Sequence, residues 1–253
     1  MLQTAVEAAQ RAGQVIAERY PAGRNVTFKG YRDIVTDADT AAEAIVLDLI
    51  RARFPDHAIL SEEAGGGEIG SGYTWVVDPL DGTTNYAHRI PVFAVSIGVL
   101  EGGEPLIGVI RDPLRDQTFV AERGGGANLN GAPMHVSRMA RLDHTVVGLD
   151  WGHSDQMRER TLAYLHRVAP CCGTVRMLGS ATLGLAYVAA GWLDAYFHPV
   201  LKPWDAAAGV CLIAEAGGRC TTLDGGLYRV DLPGCLATNG LVHEELLAVM
   251  GET

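Results

Sequence analysis

The chemistry-bearing residues are densest in Trp75-Val76-Val77-Asp78-Pro79-Leu80-Asp81-Gly82-Thr83-Thr84-Asn85, where an apolar run meets two aspartates three apart, a glycine and two threonines. Held in a tight Pro-containing turn, Asp78 and Asp81 can place carboxylate oxygens on one hard divalent cation. Gly82 lets the backbone turn closely, so that its N–H and those of the threonines can meet an anion. Carboxylates for Mg2+ beside amides for phosphate are what metal-assisted phosphoryl hydrolysis requires. The plainer reading is an ordinary turn between strands, since Asp, Pro and Gly all favour turns. Three further acidic sites decide between the two.

Asp33-Ile34-Val35-Thr36-Asp37-Ala38-Asp39 leads into Thr40 to Ile50, where apolar positions 42, 45, 46, 49 and 50 follow helical spacing. The aspartates ahead of that helix are placed to cap it and to complement its dipole. One cap accounts for one aspartate, and three stand in seven residues. His57 to Ser61 reads as a short strand ending in the adjacent Glu62 and Glu63, followed by Gly65-Gly66-Gly67. Neighbouring carboxylates repel and are ordinarily solvated at a strand end; a cation nearby would remove the penalty. In Lys202-Pro203-Trp204-Asp205-Ala206-Ala207-Ala208-Gly209, Pro203 and Asp205 open an alanine-rich helix that Gly217-Gly218 closes. Asp205 suits a first-turn cap, and the small residues after it suit close packing that would hold an aspartate rigidly. Four acidic clusters at strand ends and helix starts are expected to converge on one crevice, as such ends do in α/β architectures.

The elements that must position these groups change character along the chain. Leu2 to Tyr20 reads as an amphipathic helix carrying Glu7, Arg11, Glu18 and Arg19. Residues 91–100, 105–112 and 117–122 are β-rich, with glycine-containing turns at 101–104, which suggests an antiparallel sheet beside two helices. From Thr145 the pattern alternates: strand 145–150, helix 155–168, strand 174–178, helix 180–190, strand 193–197, helix 204–216. Such alternation reads as α/β layers. A boundary near 138–143 divides the chain into an α+β domain, 1–140, with most of the acidic ligands, and an α/β domain, 141–253, that contributes Asp205. The expected fold class is α/β with an α+β N-terminal part. Gly65 to Gly72 is the segment expected to be most mobile.

Together these residues resemble the inositol monophosphatase family of Mg2+-dependent, lithium-sensitive phosphatases. The resemblance runs through Lys29, Asp33 to Asp39, Ser61-Glu62-Glu63 and the D-P-L-D-G-T-T-N-Y-A-H block, then Gly108-Val109-Ile110 and Gly124 to Ala127. It continues through Asn130-Gly131, Val136-Ser137, Gly179-Ser180-Ala181 and P-W-D-A-A-A-G. It implies a layered α/β/α/β/α sandwich of the sugar-phosphatase kind, a homodimer, and two to three Mg2+ ions. By the resemblance, Glu62, Asp78 and the Leu80 carbonyl hold the first ion, and Asp78, Asp81 and Asp205 the second. A third and weaker ion leans on Glu62. Thr83, paired with Asp39, would orient and help deprotonate the attacking water; a threonine hydroxyl alone is a poor base, which is why Asp39 must stand behind it. Glu63 would assist near that water. The Gly82 and Thr83 amides would hold phosphate oxygens, with Glu62, Leu80, Asp81 and Asp205 also lining the substrate. Gly179, Ser180 and Ala181 are suited to backbone contacts with a polyol ring.

One position departs from the family pattern. Where inositol phosphatases usually carry a glutamate seven residues before the W-D aspartate, this chain has His198, which can donate as well as accept and can charge near neutral pH. The leading expectation is hydrolysis of inositol monophosphate or a similar polyol phosphate by activated water. Histidinol phosphate and fructose 1,6-bisphosphate are the alternative substrates, and a non-catalytic binding or regulatory module is the alternative class. The T-T-N-Y-A-H continuation resembles the inositol branch more than the adenosine-nucleotide or histidinol branches.

With 253 residues and 48% hydrophobic content, the chain can bury a substantial core without disulfides. A net charge of −10 argues against a nucleic-acid surface, which needs basic patches. Bound cations would reverse that field locally for an anionic substrate. The five cysteines at 171, 172, 211, 220 and 235 include an adjacent pair and no C-x-x-C, which reads as reduced thiols. No segment approaches the apolar length of a membrane span, and the N-terminal helix is unlike a signal peptide, so a cytoplasmic protein is expected.

Overall fold

The computed structural model describes residues 1–21 and 25–251, and the periodicities read above become five stacked layers. In the outermost, α1 (Leu2–Arg19) buries Ala5, Ala8, Ala9, Ala12 and Ile16, a stripe at three- and four-residue spacing. Small side chains let it run close beside α2 (Asp37–Arg53), which turns Ala38, Ala42, Val46 and Ile50 to the same core. Between them, β1 (Val26–Gly30) and β2 (Asp33–Thr36) form an antiparallel hairpin that, among the described residues, pairs with no further strand. The cap of α2 falls on Thr36 and not on an aspartate. Thr36 Oγ1 accepts the Ala38 N–H, and Asp39, already inside the helix, accepts the Thr36 N–H at 2.8 Å. Apolar spacing reports only where a helix is buried, so it missed the polar first turn.

The second layer is an eight-stranded sheet in the order β10-β9-β8-β7-β6-β5-β3-β4. Its members are β3 (Ala58–Ser61), β4 (Gly65–Gly66), β5 (Tyr73–Asp81), β6 (Ala94–Glu101), β7 (Glu104–Asp112), β8 (Gln117–Glu122), β9 (Gly126–Leu129) and β10 (Ala132–Pro133). From β5 to β10 every pairing is antiparallel, as the run of consecutive strands suggested. β3 instead lies parallel to β5 with Ser61 opposite Val77, which brings Glu62 out beside Asp78. Gly65 and Gly66 return to pair with β3, so part of the segment expected to be mobile is sheet.

The D-P-L-D segment is not a turn. It is the end of β5, and its register slips between Asp78, opposite Ser96, and Asp81, opposite Ala94. Three steps along β5 match two along β6, so one extra residue is accommodated in a bulge. Side chains on an unbroken strand alternate between faces, which would send residues three apart to opposite sides. The bulge cancels that and turns both aspartates to one side. β3 stops at Ser61, opposite Val77, so Pro79 costs no ladder bond on that edge.

α5 (Ala181–Ala189) and α6 (Pro203–Glu215) form the middle layer, and α6 seats on glycines of the large sheet. A Cβ on Gly98 would lie 2.6 Å from Ala207 Cβ, and one on Gly108 would lie 2.3 Å from the Ala208 carbonyl oxygen. The fourth layer is a five-stranded sheet ordered β12-β11-β13-β15-β14, from β11 (Val146–Leu149), β12 (Thr174–Arg176), β13 (Ala195–His198), β14 (Arg219–Thr221) and β15 (Cys235–Thr238). β11 runs parallel to β12 and β13, while β15 is antiparallel to both its neighbours. α4 (Asp155–Val168) and α7 (His243–Gly251) close the far side over Leu149, Phe197 and Leu236. The two sheets fall on either side of residue 140, and one core packs between them, from Ile110 and Phe119 through Leu183 and Leu212 to Tyr196. The layered α/β/α/β/α sandwich is the architecture the resemblance implied.

Candidate active site

The bulge in β5, the end of β3 and the first turns of α2 and α6 meet in one crevice. Asp78, Asp81 and Asp205 each offer a carboxylate oxygen within 4.8 Å of the others. Asp78 is 1% exposed, and its Oδ1 accepts the Leu80 N–H at 3.0 Å, a local bond that fixes the bulge. Asp205 sits in the first turn of α6 and accepts the Lys202 N–H at 2.7 Å. Glu62 and Glu63 face Lys29 Nζ at 3.0 and 2.5 Å. The β1–β2 hairpin thus supplies an ammonium to the adjacent glutamates.

Asp81 is the most tightly held of the group. Its Oδ2 accepts the Ser180 hydroxyl in a short bond, the Thr182 hydroxyl at 2.6 Å and the Thr182 N–H at 3.0 Å. Among the described residues its Oδ1 accepts only the Ala181 N–H, at 3.3 Å. One oxygen is saturated, and the other remains open to a cation. These bonds alter the expectation for the 179–181 segment. The Ser180 hydroxyl and the Ala181 N–H serve Asp81, while the Gly179 N–H is taken by Asp150 at 2.8 Å. Two of the three backbone N–H groups in the segment suited to a polyol ring, those of Gly179 and Ala181, are thus engaged within the protein.

Thr83 opens α3 (Thr83–Ala87) directly after Gly82. Its Oγ1 lies 2.9 Å from Asp39 Oδ1 and 2.9 Å from the Leu80 carbonyl, so one hydroxyl proton has two acceptors. Gly82 has φ +86°, and a Cβ there would lie 3.0 Å from the Val92 carbonyl and 3.1 Å from the Gly179 carbonyl. Both its conformation and the close approach of the 179 loop require glycine.

Charge is the dominant fact of the crevice. Burial raises Asp39 to about 6, Glu62 to about 7 and Asp205 to about 8, each further raised by neighbouring carboxylates. Asp78 is driven well above the carboxylate range by burial and then by Glu62, Asp81, Asp205 and Asp39. Burial alone would lower the Lys29 ammonium, but its bonds to Glu63 and Glu62 raise it above its ordinary value. Six buried or half-buried carboxylates, Asp39, Glu62, Glu63, Asp78, Asp81 and Asp205, against Lys29 and the more weakly acting Lys202 are under-compensated. Among the described residues the donors grouped with Asp78 are all oxygen, with no histidine or thiol, which fits a hard divalent cation.

His198 ends β13 on the same strand face as Tyr196, toward the middle helices. It is 7% exposed, and its Nδ1 accepts the Val200 N–H at 3.1 Å, which leaves Nε2 as the protonated nitrogen. Burial, and then His153, lower its pKa to about 3. A histidine charged near neutral pH is therefore replaced by a neutral donor.

Four contributors went unread in the sequence: Glu43, Asn85, Asp150 and Thr182. Asn85 Nδ2 ties the Val92, Leu178 and Gly179 carbonyls together, and Asp150 joins Gly179 to the Tyr196 hydroxyl at 3.2 Å. Their partners are remote in the chain, so no local pattern reveals them.

A layered α/β sandwich whose strand and helix ends gather an oxygen-only acidic crevice defines a sugar-phosphatase-type hydrolase fold. The model of the inositol monophosphatase family matches residues 1–252. The chain is 41% identical over 256 residues to the Nus factor SuhB of Escherichia coli, an alignment covering 99% of this chain and 95% of that one. It is 40% identical over 261 residues to the inositol-1-monophosphatase of Synechocystis, covering 100% and 89%. The solved inositol monophosphatase from Anabaena (Nostoc) superposes with a TM-score of 0.89 at 40% identity, over 98% of this chain and 94% of that one. This chain belongs to the inositol monophosphatase family. It is a phosphoric monoester hydrolase.

Proposed function

We propose that the enzyme hydrolyses inositol monophosphate or a similar polyol phosphate by direct attack of water, using two to three Mg2+ ions. The convergence of Asp78, Asp81 and Asp205, with the Thr83–Asp39 pair beside them, carries this reading. Glu62, Asp78, Asp81, Asp205 and the Leu80 carbonyl are the groups assigned to hold the ions. Bound there, Mg2+ would neutralise the phosphate, acidify water and stabilise the leaving alkoxide. Thr83 Oγ1 orients the water and takes its proton while passing its own to Asp39 Oδ1, whose burial gives it the basicity for that task. The Gly82 and Thr83 N–H groups are assigned to the phosphate oxygens, and Glu63 would assist near the attacking water. The saturation of Asp81 Oδ2 keeps that carboxylate from turning during the reaction.

By the family resemblance His198 would stand on the alcohol side, where its protonated Nε2 would meet an oxygen lone pair of the leaving group. Phosphate release from inositol 1-phosphate, histidinol phosphate, fructose 1,6-bisphosphate and 3′-phosphoadenosine 5′-phosphate, compared by kcat/KM, tests the substrate. A tenfold or greater preference for a substrate other than inositol 1-phosphate would overturn the inositol assignment and leave the chemistry standing.

A homodimer in the cytoplasm completes the proposal. The exposed Ile90, Met177 and Trp192 offer apolar surface for a second copy, and all five thiols are free. Light scattering of the purified chain, with Trp192→Glu for comparison, reads the oligomeric state. The Escherichia coli relative is called a Nus factor, which gives a partner-binding role a specific basis as the second reading. A cellular role that survives Asp78→Asn intact would favour it.

A further inference from the structure

Helix α2 presents two buried carboxylates four residues apart, and only Asp39 enters the chemistry above. Residues so spaced lie one turn apart on the same face. Asp39 reaches Thr83, and Glu43, 8% exposed, reaches the other side of the crevice. Its Oε1 accepts the Ser61 hydroxyl at 2.5 Å and the Ala64 N–H at 2.8 Å. Those two donors bracket Glu62 and Glu63.

The bracketed pair needs such a tie. Adjacent carboxylates repel one another, and Glu62 to Ala64 form the turn between β3 and β4, past the end of the ladder with β5 and closed only by the Ser61–Gly65 pairing. The Glu62 N–H reaches the Val77 carbonyl at 3.1 Å, which anchors one side of the segment to β5. Glu43 anchors it from beneath, with charge-assisted bonds to both ends. Lys29 compensates the charge from the hairpin but is itself carried on exposed strand. The fixed element is therefore α2, which sets the spacing between Thr83 and the glutamate pair.

We infer that Glu43 is a positioning residue that holds Glu62 and Glu63 in the orientation required to bind the cation. The inference rests on the reading of Glu62 as a metal ligand. It concerns metal affinity, so it can be tested without substrate.

Isothermal titration of Mg2+ into the chelator-stripped protein, with a melting curve for each variant, separates positioning from simple stability. Glu43→Leu keeps the volume and removes the acceptor, and its Mg2+ Kd should rise about 10- to 100-fold, the usual cost of losing a group that orients a ligand. Glu43→Gln keeps an oxygen for both donors and should restore binding close to that of the parent. A lower melting temperature in Glu43→Leu with an unchanged Mg2+ Kd would overturn the inference, because that is what a purely structural role predicts. Should Glu43→Leu fail to fold, Ser61→Ala removes one of the two donors and should weaken Mg2+ in the same direction by less; an unchanged Kd there would also overturn it. Glu62→Gln is the reference variant. If it leaves Mg2+ binding untouched, the assignment of Glu62 as a ligand falls; if it weakens binding while Glu43→Leu does not, only the role of Glu43 falls.

Discussion

Thr83 Oγ1 stands 2.9 Å from Asp39 Oδ1, joining the helix that follows the bulged strand to the first turn of α2. Asp39 is fixed from its other oxygen by the Thr36 N–H at 2.8 Å and the Thr36 hydroxyl at 2.5 Å, so the pair has no freedom to drift. On the proposed reading the hydroxyl would serve the attacking water, and of the groups proposed to hold the ions it meets the Leu80 carbonyl.

Thr83→Ala should therefore lower kcat by about 10²- to 10⁴-fold, the range for loss of a positioned proton-transfer group. Mg2+ binding, measured by calorimetry, should be retained. Loss of Mg2+ binding in this variant would show that Thr83 builds the metal cage and does not act on the water.

The metal-free protein should become less stable as pH rises from 6.5 to 8.5. Glu62 and Asp205, raised to about 7 and about 8, hold protons in the folded state that the unfolded chain has already released. Stability from such groups is full at low pH and is lost as pH climbs through the folded values. His198 and His243, both lowered, add stability with rising pH until the unfolded imidazoles have titrated near 6.5, so they oppose the fall only at the lower edge of this window. Melting temperatures in chelator should fall across it, and saturating Mg2+ should flatten the slope. A chelated protein whose melting temperature rises from pH 6.5 to 8.5 would contradict the electrostatic account.

Gly108→Ala tests whether the seat of α6 matters to the site. The new methyl would lie 2.3 Å from the Ala208 carbonyl oxygen and 3.0 Å from its carbon, neither of which can move without the helix. A loss of about 1–3 kcal/mol is expected from such overpacking. Asp205 rides on the same helix, so Mg2+ affinity should fall with the melting temperature. A stable variant with unchanged Mg2+ affinity would mean that α6 is free to shift.

His198 should stay neutral from pH 8 to pH 5, with its proton on Nε2. Its Nδ1 is engaged by the Val200 N–H, and burial lowers its pKa to about 3. Nitrogen chemical shifts of the labelled protein read the tautomer directly. A titration near 6.5 would place the ring in solvent and remove it from the site wall.

Much of this could be read from residue order because the elements carry their own periodicity and stops. The 155–168 helix coincides with α4, and Pro203 with Gly217-Gly218 delimits α6. Strands β6 to β8 follow one another closely enough for neighbours to pair. What failed was information held by distant partners. Asp78 to Asp81 has turn chemistry, yet pairing with β6 keeps it in the sheet as a bulge. β14, β15 and α7 went unread, as did the β1–β2 hairpin, whose first strand is exposed along its whole length. The acidic residues proposed as ligands were legible because they lie in local motifs. Their supports were not: Thr182 lies 101 residues from the Asp81 it holds, and Gly179 lies 29 from Asp150.

The central claim is that the buried carboxylate crevice binds Mg2+ and hydrolyses a phosphate monoester there. The most direct test is phosphate release from inositol 1-phosphate by the parent protein and by Asp78→Asn, each with Mg2+ and with chelator, alongside Mg2+ binding by calorimetry. The account predicts release by the parent with Mg2+ alone, with Asp78→Asn losing both Mg2+ affinity and turnover. Release that persists in chelator, or an Asp78→Asn enzyme as active as its parent, would contradict it.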